Sequence, residues 1–373
     1  MAELVLSKVD KIYRSRGKKS VHAVKAFDLT VKAGEIVALL GSSGCGKTST
    51  LRMIAGFEDV TSGTITLGGR EIHTLAPSAR GVAMAFEAYS LYPPLTIGEN
   101  IAFALKAAKL PVSEADAKVK DIARMLEISD ILGKYPSSVS GGQQQRASLG
   151  RALVRSADLY LLDEPMGQLE PQLRAVLRGR IKHYLREHKC TTILVTHDQT
   201  EANALADRIA VMEDGMLQQY ATPAELKARP ANLFTGTFIG EPPMNIFDAT
   251  PSIASGEVRF DLGNGNVLTY NVSELSDTVT ALIAKMPQLV IGIRPHALHV
   301  AEGPIRATIM SCQWLGDQTH VAADVGGKTA VSVAHDRVDL SPGTDVSLSV
   351  SAADLHLFDP STGHAIAHGS DMA

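Results

Sequence analysis

The segment Gly41-Ser42-Ser43-Gly44-Cys45-Gly46-Lys47-Thr48 has the spacing G-x-x-x-x-G-K-[ST]. Polyphosphate is densely negative. A glycine-rich turn that opens a helix offers it successive backbone N–H groups and the positive end of the helix dipole. In such a turn Lys47 is expected to reach the β- and γ-phosphates and the Thr48 hydroxyl to ligate Mg²⁺, with Ser42, Gly44, Cys45, Gly46 and Ser49 completing the nucleotide contacts. A second group is Leu159-Tyr160-Leu161-Leu162-Asp163-Glu164-Pro165. Alone it reads equally well as a buried strand ending in solvated acids. Beside a phosphate-binding loop, a carboxylate at the end of a parallel strand lies where α/β sheets bind ligands. Asp163 can then join the Mg²⁺ shell and Glu164 can polarise the attacking water as general base. The same strand-end logic places His197, in Val195-Thr196-His197-Asp198, at the γ-phosphate. Finally, Val139-Ser140-Gly141-Gly142-Gln143-Gln144-Gln145-Arg146 is another helix start with a serine cap and two glycines. One nucleotide does not obviously need two such starts.

These residues need a sheet to hold them. Residues 36–40, 159–162 and 192–195 read as buried central strands, and residues 48–55, 98–130 and 141–156 have helical period, the last opening on Ser140. Up to about residue 235 the alternation predicts an α/β domain with a largely parallel sheet. After Phe238-Ile239-Gly240-Glu241-Pro242-Pro243 the chain turns to short Val/Thr-rich runs broken by Gly263-Asn264-Gly265, Gly326-Gly327 and Pro342-Gly343, which predicts an all-β domain, a small barrel. The expected division is 1–237, with a helical subdomain at about 88–157, and 238–373. Trp314 is expected in the barrel core. Lys8, Lys11, Arg14, Arg16, Lys18 and Lys19 are expected on a solvated hairpin loop and not in a phosphate-binding patch.

The chain has 373 residues, enough for two to three domains at roughly 150 residues each. Lys+Arg is 36 and Asp+Glu 40, and the net charge of −4 argues against a generally basic nucleic-acid surface. No apolar run approaches the roughly 18 residues that span a bilayer, and the N-terminus lacks export features, so the chain is expected to stay in the cytosol. Cys45, Cys190 and Cys312 are too scattered for a disulfide framework and are expected as free thiols.

The whole arrangement resembles the ATP-binding cassette (ABC) ATPases. Their signature reads L-S-G-G-Q, here with Val139 for Leu, and their order of Walker A, Q-loop, signature, Walker B, D-loop and switch histidine can be followed along the chain. The resemblance implies that two cassettes pair head to tail, with ATP between the Walker A loop of one and Ser140, Gly141, Gly142 and Gln143 of the other. It also points to Tyr13 as the ring that stacks on adenine. Phe86-Glu87-Ala88-Tyr89-Ser90-Leu91-Tyr92-Pro93 looks like the Q-loop stretch, and Phe238 to Asn245 looks like the join to an OB-like (TOBE/MOP-type) barrel. Gly292-Ile293-Arg294-Pro295 and Trp314-Leu315-Gly316-Asp317 are similar to runs in those barrels.

Essentially the full length resembles the ATPase subunit of maltose/glycerol-phosphate-type importers. That implies ATP and Mg²⁺ as cofactors, two transmembrane permease subunits, a second ATPase subunit, a periplasmic solute-binding protein acting indirectly, and no nucleic acid. It also implies a peripheral position at the cytoplasmic face of the inner membrane. Rival readings are a soluble cassette ATPase acting on nucleic acid or ribosomes, an importer ATPase for another solute class, and a regulatory binding protein. Two departures stand out. Glu87 occupies the Q-loop glutamine position and Glu170 a D-loop position where the family usually has Asp. Glu87 still offers Mg²⁺ an oxygen, with about 4 kcal/mol of attraction at ~4 Å, and repulsion from the γ-phosphate is of the same order. Glu87 is expected to couple the site to the permease, and Glu170 leaves both a homodimer and a heterodimer open.

Overall fold

A computed structural model describes residues 2–14, 20–86, 88–106 and 109–372. Glu87, and Arg16, Lys18 and Lys19 of the basic run, lie outside the described residues. The chain divides into two compact units, Met1–Pro223 and Ala224–Ala373.

The first unit runs β1 (Leu4–Tyr13), β2 (Val21–Val31), β3 (Ile36–Gly41), α1 (Lys47–Ala55), β4 (Ser62–Leu67), β5 (Arg70–Glu71), β6 (Val82–Ala85), α2 (Ile97–Phe103), α3 (Val112–Met125), α4 (Gly141–Leu153), β7 (Leu159–Asp163), α5 (Pro171–Glu187), β8 (Thr192–Val195), α6 (Gln199–Leu205), β9 (Arg208–Glu213) and β10 (Met216–Ala221). Two sheets form, in the orders β2-β1-β4-β5 and β10-β9-β3-β8-β7-β6. Every residue of β3, β7 and β8 is buried, as expected of parallel strands covered on both faces. Leu51, Met53 and Ile54 of α1 share one core with Leu4, Leu6 and Phe27 of the first sheet and with Leu39, Leu161 and Ile193 of the second.

The register places the chemistry. Leu39 of β3 pairs with Val195 of β8, which pairs in turn with Asp163 of β7. The glycine loop, His197 and Glu164 therefore leave the sheet along one edge, at the ends of three neighbouring parallel strands. The helical run expected over 98–130 is interrupted. α2 ends at Phe103 and α3 begins after Pro111, because a proline lacks the N–H that a helix interior requires. Lys11 also departs from expectation. It is buried, paired with Glu58 at 2.9 Å and bonded to the Asp59 carbonyl at 2.8 Å, since β1 extends to Tyr13 and carries it inward.

The second unit is built from α7 (Pro223–Ala228), α8 (Leu233–Phe238), β11 (Asn245–Ala254), β12 (Glu257–Asp261), β13 (Val267–Asn271), α9 (Asp277–Ile283), β14 (Leu289–Ile293), β15 (His299–Trp314), β16 (Thr319–Val325), β17 (Lys328–Ala334), β18 (Asp345–Ser349), β19 (Leu355–Phe358) and β20 (Ala365–His368). Its strands form antiparallel sheets in the orders β13-β12-β11-β14-β19-β20 and β17-β16-β15-β18. Phe247, Phe260, Leu268, Ile291 and Leu357 of the first meet Ile305, Val321 and Leu348 of the second in one core. Gly326 and Gly327, at φ +60° and +90°, form the two-residue turn between β16 and β17, where both positions need a left-handed backbone. Trp314 is not in that core. It is 42 % exposed at the end of β15, because aliphatic and phenylalanine side chains fill the interior. The cysteines are free thiols, with Cys45 and Cys190 buried. Among the described residues no helix is long and apolar enough to cross a membrane.

The helix behind the glycine loop is held at its far end by Arg80. Its guanidinium donates to the carbonyls of Met53 (2.7 Å) and Ile54 (3.1 Å), and also to Leu75 (2.8 Å) and His73 (2.9 Å). Those α1 carbonyls have no partner further along the helix, and a cation there complements the helix dipole. Arg80→Ala is expected to cost about 2–4 kcal/mol of stability, read from urea unfolding midpoints. A variant within about 0.5 kcal/mol of the parent would mean that Arg80 does not hold α1.

Candidate functional site: a phosphate-binding loop, two carboxylates and a histidine

Residues 41–48 link β3 to α1, and their glycines are required by space as well as by conformation. A Cβ on Gly46, at φ +105°, would lie 2.4 Å from the Ala23 carbonyl oxygen, and one on Gly41 would lie 2.2 Å from that of Met212. Gly44 is exposed at φ +79°. The Lys47 ammonium, 8 % exposed, is gripped by the loop itself through the carbonyls of Gly41 (2.8 Å) and Ser42 (2.9 Å), with Cys45 Sγ at 3.7 Å. Burial pushes the Cys45 thiol pKa up despite Lys47, which keeps it protonated and unreactive. Ser42 is exposed, and Thr48 and Ser49 are half-buried at the helix start. Tyr13 Oη lies 3.1 Å from Ser49 Oγ, and the Lys11 ammonium sits 4.8 Å from the centre of the tyrosine ring. The structure thus brings Tyr13 to the loop from the other sheet.

At the end of β7, Asp163 is buried (4 % exposed) and Glu164 turns outward with φ +47°, a left-handed backbone unusual for a residue other than glycine. Its N–H still donates to the Val195 carbonyl at 2.9 Å, so the turn starts from a fixed point. His197 Nδ1 lies 2.8 Å from Glu164 Oε1. With Nδ1–H donating, the carboxylate fixes the ring orientation and directs Nε2 away from itself.

Ser140 caps α4. Its Oγ accepts from the Gln143 N–H (3.3 Å) and Gln143 Oε1 accepts from the Ser140 N–H (3.0 Å), a reciprocal capping box. Gly142 packs closely on Gln168, since a Cβ there would lie 3.1 Å from its carbonyl oxygen, while a Cβ on Gly141 would displace the end of the Gln168 side chain, 2.8 Å away. Among the described residues no hydrogen bond joins residues 140–143 to residues 41–49. Glu170 sits as the N-cap of α5 without a side-chain capping bond.

Four residues that the sequence reading missed tie these pieces together. Gln145, 4 % exposed, donates to the Glu164 carbonyl (2.8 Å) and accepts from the Gln168 N–H (3.0 Å), joining α4 to both segments. Its signal was available: Gln145 stands at helical spacing from the buried Leu149 and Ala152. Arg174 bonds Asp198 Oδ2 (3.1 Å) and the carbonyls of Leu169 (3.1 Å) and Gly167 (3.3 Å), so the turn after Glu164 is tied to the segment that carries His197. Burial opposes the Asp198 charge, but the Glu201 N–H and Arg174 hold its pKa below the ordinary value. Glu201 itself is 2 % exposed, with Oε2 accepting from Thr196 Oγ1 at 2.8 Å. Burial raises its pKa to about 7, the neighbouring Asp198 and Glu164 charges add to the rise, and Thr196 and Arg174 oppose it.

A carboxyl raised in the folded state destabilises that state as it ionises, so stability falls between the unfolded value near 4.5 and about pH 7 and then levels off. The size is roughly 3 kcal/mol. Glu201→Gln keeps an acceptor for Thr196 and is expected to remove most of this fall, seen as flatter urea midpoints between pH 5 and 8. Parallel pH profiles for the variant and the parent would contradict the assignment.

Comparison with known proteins agrees with this geometry. The ABC transporter family model matches residues 24–167, and the TOBE domain model matches residues 291–358. An sn-glycerol-3-phosphate import ATP-binding protein of Agrobacterium fabrum is 38 % identical over 98 % of this chain and 95 % of its own length. The trehalose/maltose import ATP-binding protein of Thermococcus litoralis is 39 % identical over 93 % of this chain and 96 % of its own. Among solved structures, the ATP-binding cassette MJ0796 in a dimeric post-hydrolysis state bound to ADP and Pi superposes with a TM-score of 0.55 at 27 % identity, covering 59 % of this chain and 98 % of that one. With the loop at 41–48, the acid pair at the end of β7 and a relative aligned from end to end, the chain belongs to the ATP-binding subunits of the ABC transporter family.

Proposed function

We propose that this chain is the ATP-hydrolysing subunit of an importer for a sugar, polyol or glycerol-phosphate-like solute. The observation that carries the reading is the 2.8 Å contact between Glu164 and His197, on the same sheet edge as the loop that holds Lys47. The relatives named for trehalose, maltose and glycerol-phosphate import support the cargo class. Residues 1–237 form the nucleotide-binding part, with the helical subdomain at about 88–157, and residues 238–373 form a regulatory or dimerising part.

In this reading ATP lies on residues 42–49 with its adenine over Tyr13, and Lys47 exchanges its loop carbonyls for the β- and γ-phosphates. Thr48 and Asp163 would hold Mg²⁺. A hydroxyl and a carboxylate are oxygen donors suited to that ion, which usually binds few protein groups and completes its shell with water and phosphate oxygens. The ion supplies charge neutralisation on the phosphates. Glu164 takes a proton from the water that attacks the γ-phosphorus, while His197 fixes the carboxylate and faces the γ-phosphate. Residues 140–143 act on the nucleotide of a second cassette, and the dimeric state of MJ0796 supports that pairing. ATP favours the closed pair, and hydrolysis reopens it.

The position is the cytoplasmic face of the membrane, against two permease subunits. Supporting this, Tyr92 of the Q-loop stretch (43 % exposed) and Phe103 (40 % exposed) pair at 4.7 Å, with Arg151 over the first ring and Lys106 over the second, a part-exposed aromatic and cationic surface suited to docking. Glu87 serves in coupling the site to the permease. The expected result for Glu164→Gln is a loss of roughly 10²–10⁴-fold in ATP turnover with ATP binding retained. Near-normal turnover would remove Glu164 from the role of base.

A further inference from the structure

The second unit carries a charge arrangement that nucleotide chemistry does not use. The Arg294 guanidinium is 8 % exposed, yet its partners are neutral carbonyls, those of Gly236 (2.8 Å), Ile239 and Lys227 (2.9 Å). Among the described residues no carboxylate pairs with it, and burial alone lowers its pKa to about 10. Those carbonyls lie at the C-terminal ends of α7 and α8, whose dipoles offset part of the cost of burying the cation, and a bound anion would offset more of it.

Beside Arg294 opens a cavity of about 860 Å³ lined by Lys227, His296, His299, His356 and a single carboxylate, Asp354. Behind the lining, His356 Nδ1 lies 3.0 Å from His368 Nδ1 in a buried pair. His368 in turn faces Arg229 and Asp371, which are occupied with each other at 2.7 Å. The His296 ring stacks with His335 at 6.0 Å and 14°. Burial, Arg294 and His368 push the His356 pKa down to about 3, and burial, Lys227, His335 and His320 push that of His296 down. Burial is the main cause in both rings, and the cations and imidazoles nearby add to it, so an anion bound beside them would oppose the second contribution. Ala224, Ala228 and Ala297 add an apolar wall. We propose that this cavity binds a phosphorylated small metabolite, with the phosphate over Lys227 and His296 and the carbon skeleton against the alanines. The lining belongs to the second unit, and the proposal does not depend on the importer reading.

The test follows histidine C2–H resonances and binding heat in the full chain on addition of glucose 6-phosphate, inorganic phosphate or glucose. Saturable binding of glucose 6-phosphate, weaker binding of inorganic phosphate and none of glucose are expected. Lys227→Ala/His296→Ala, both exposed positions, is expected to weaken glucose 6-phosphate binding at least about tenfold. Lys47→Ala is expected to leave the signal intact, which separates this site from residues 41–48. Inorganic phosphate binding as tightly as the sugar phosphate would overturn the organic part of the proposal. No saturable shift at roughly 10 mM, where even a millimolar site fills, would overturn it entirely, as would unchanged binding in the double variant.

Discussion

The site depends on the side-by-side placement of three parallel strands. With Leu39, Val195 and Asp163 in one row, the segments that follow β3, β8 and β7 must emerge next to one another. Strand burial on both faces keeps that row from slipping, because each residue of these strands is packed into a core. A lysine, a histidine and two carboxylates separated by as many as 150 positions in the chain thereby share a single edge. Ligands bind at this edge in open α/β sheets for the same reason.

What the row places, a polar network holds. Gln145 reaches from α4 to the Glu164 carbonyl and the Gln168 amide, and Arg174 joins the following turn to Asp198. The left-handed backbone at Glu164 is a local cost that these bonds offset. One side chain of α4, that of Gln145, thus joins the helix that Ser140 caps to the backbone of Glu164 within the same subunit.

The buried strands, the glycine loop and the Ser140 cap were legible because each rests on local rules: apolar runs, a fixed motif spacing and capping chemistry. Lys11 was misjudged because a cationic residue in a basic run gives no sign that Glu58 lies ready across the fold. Trp314 was misjudged because the identity of a residue does not say whether the barrel interior is already filled. Gln145, Arg174 and Glu201 were overlooked for a related reason. The partners of Gln145, and Asp198 as the charged partner of Arg174, lie 19 to 24 residues away and become neighbours only when the strands align, while Thr196 is local to Glu201 and what the sequence does not show is the burial of that carboxyl. The cationic cavity of the second unit is likewise a product of folding, since Lys227, His296 and His356 belong to distant parts of the chain.

In the proposed assembly the loop at 41–48 and the turn at 140–143 address one phosphate from two subunits. Vanadate trapped with ADP in the membrane-assembled complex occupies the γ-phosphate position, and irradiation cuts the backbone beside it. Cleavage of this chain is expected both within residues 41–49 and within residues 140–143. Cleavage confined to the first segment, in a complex that traps vanadate stoichiometrically, would contradict it.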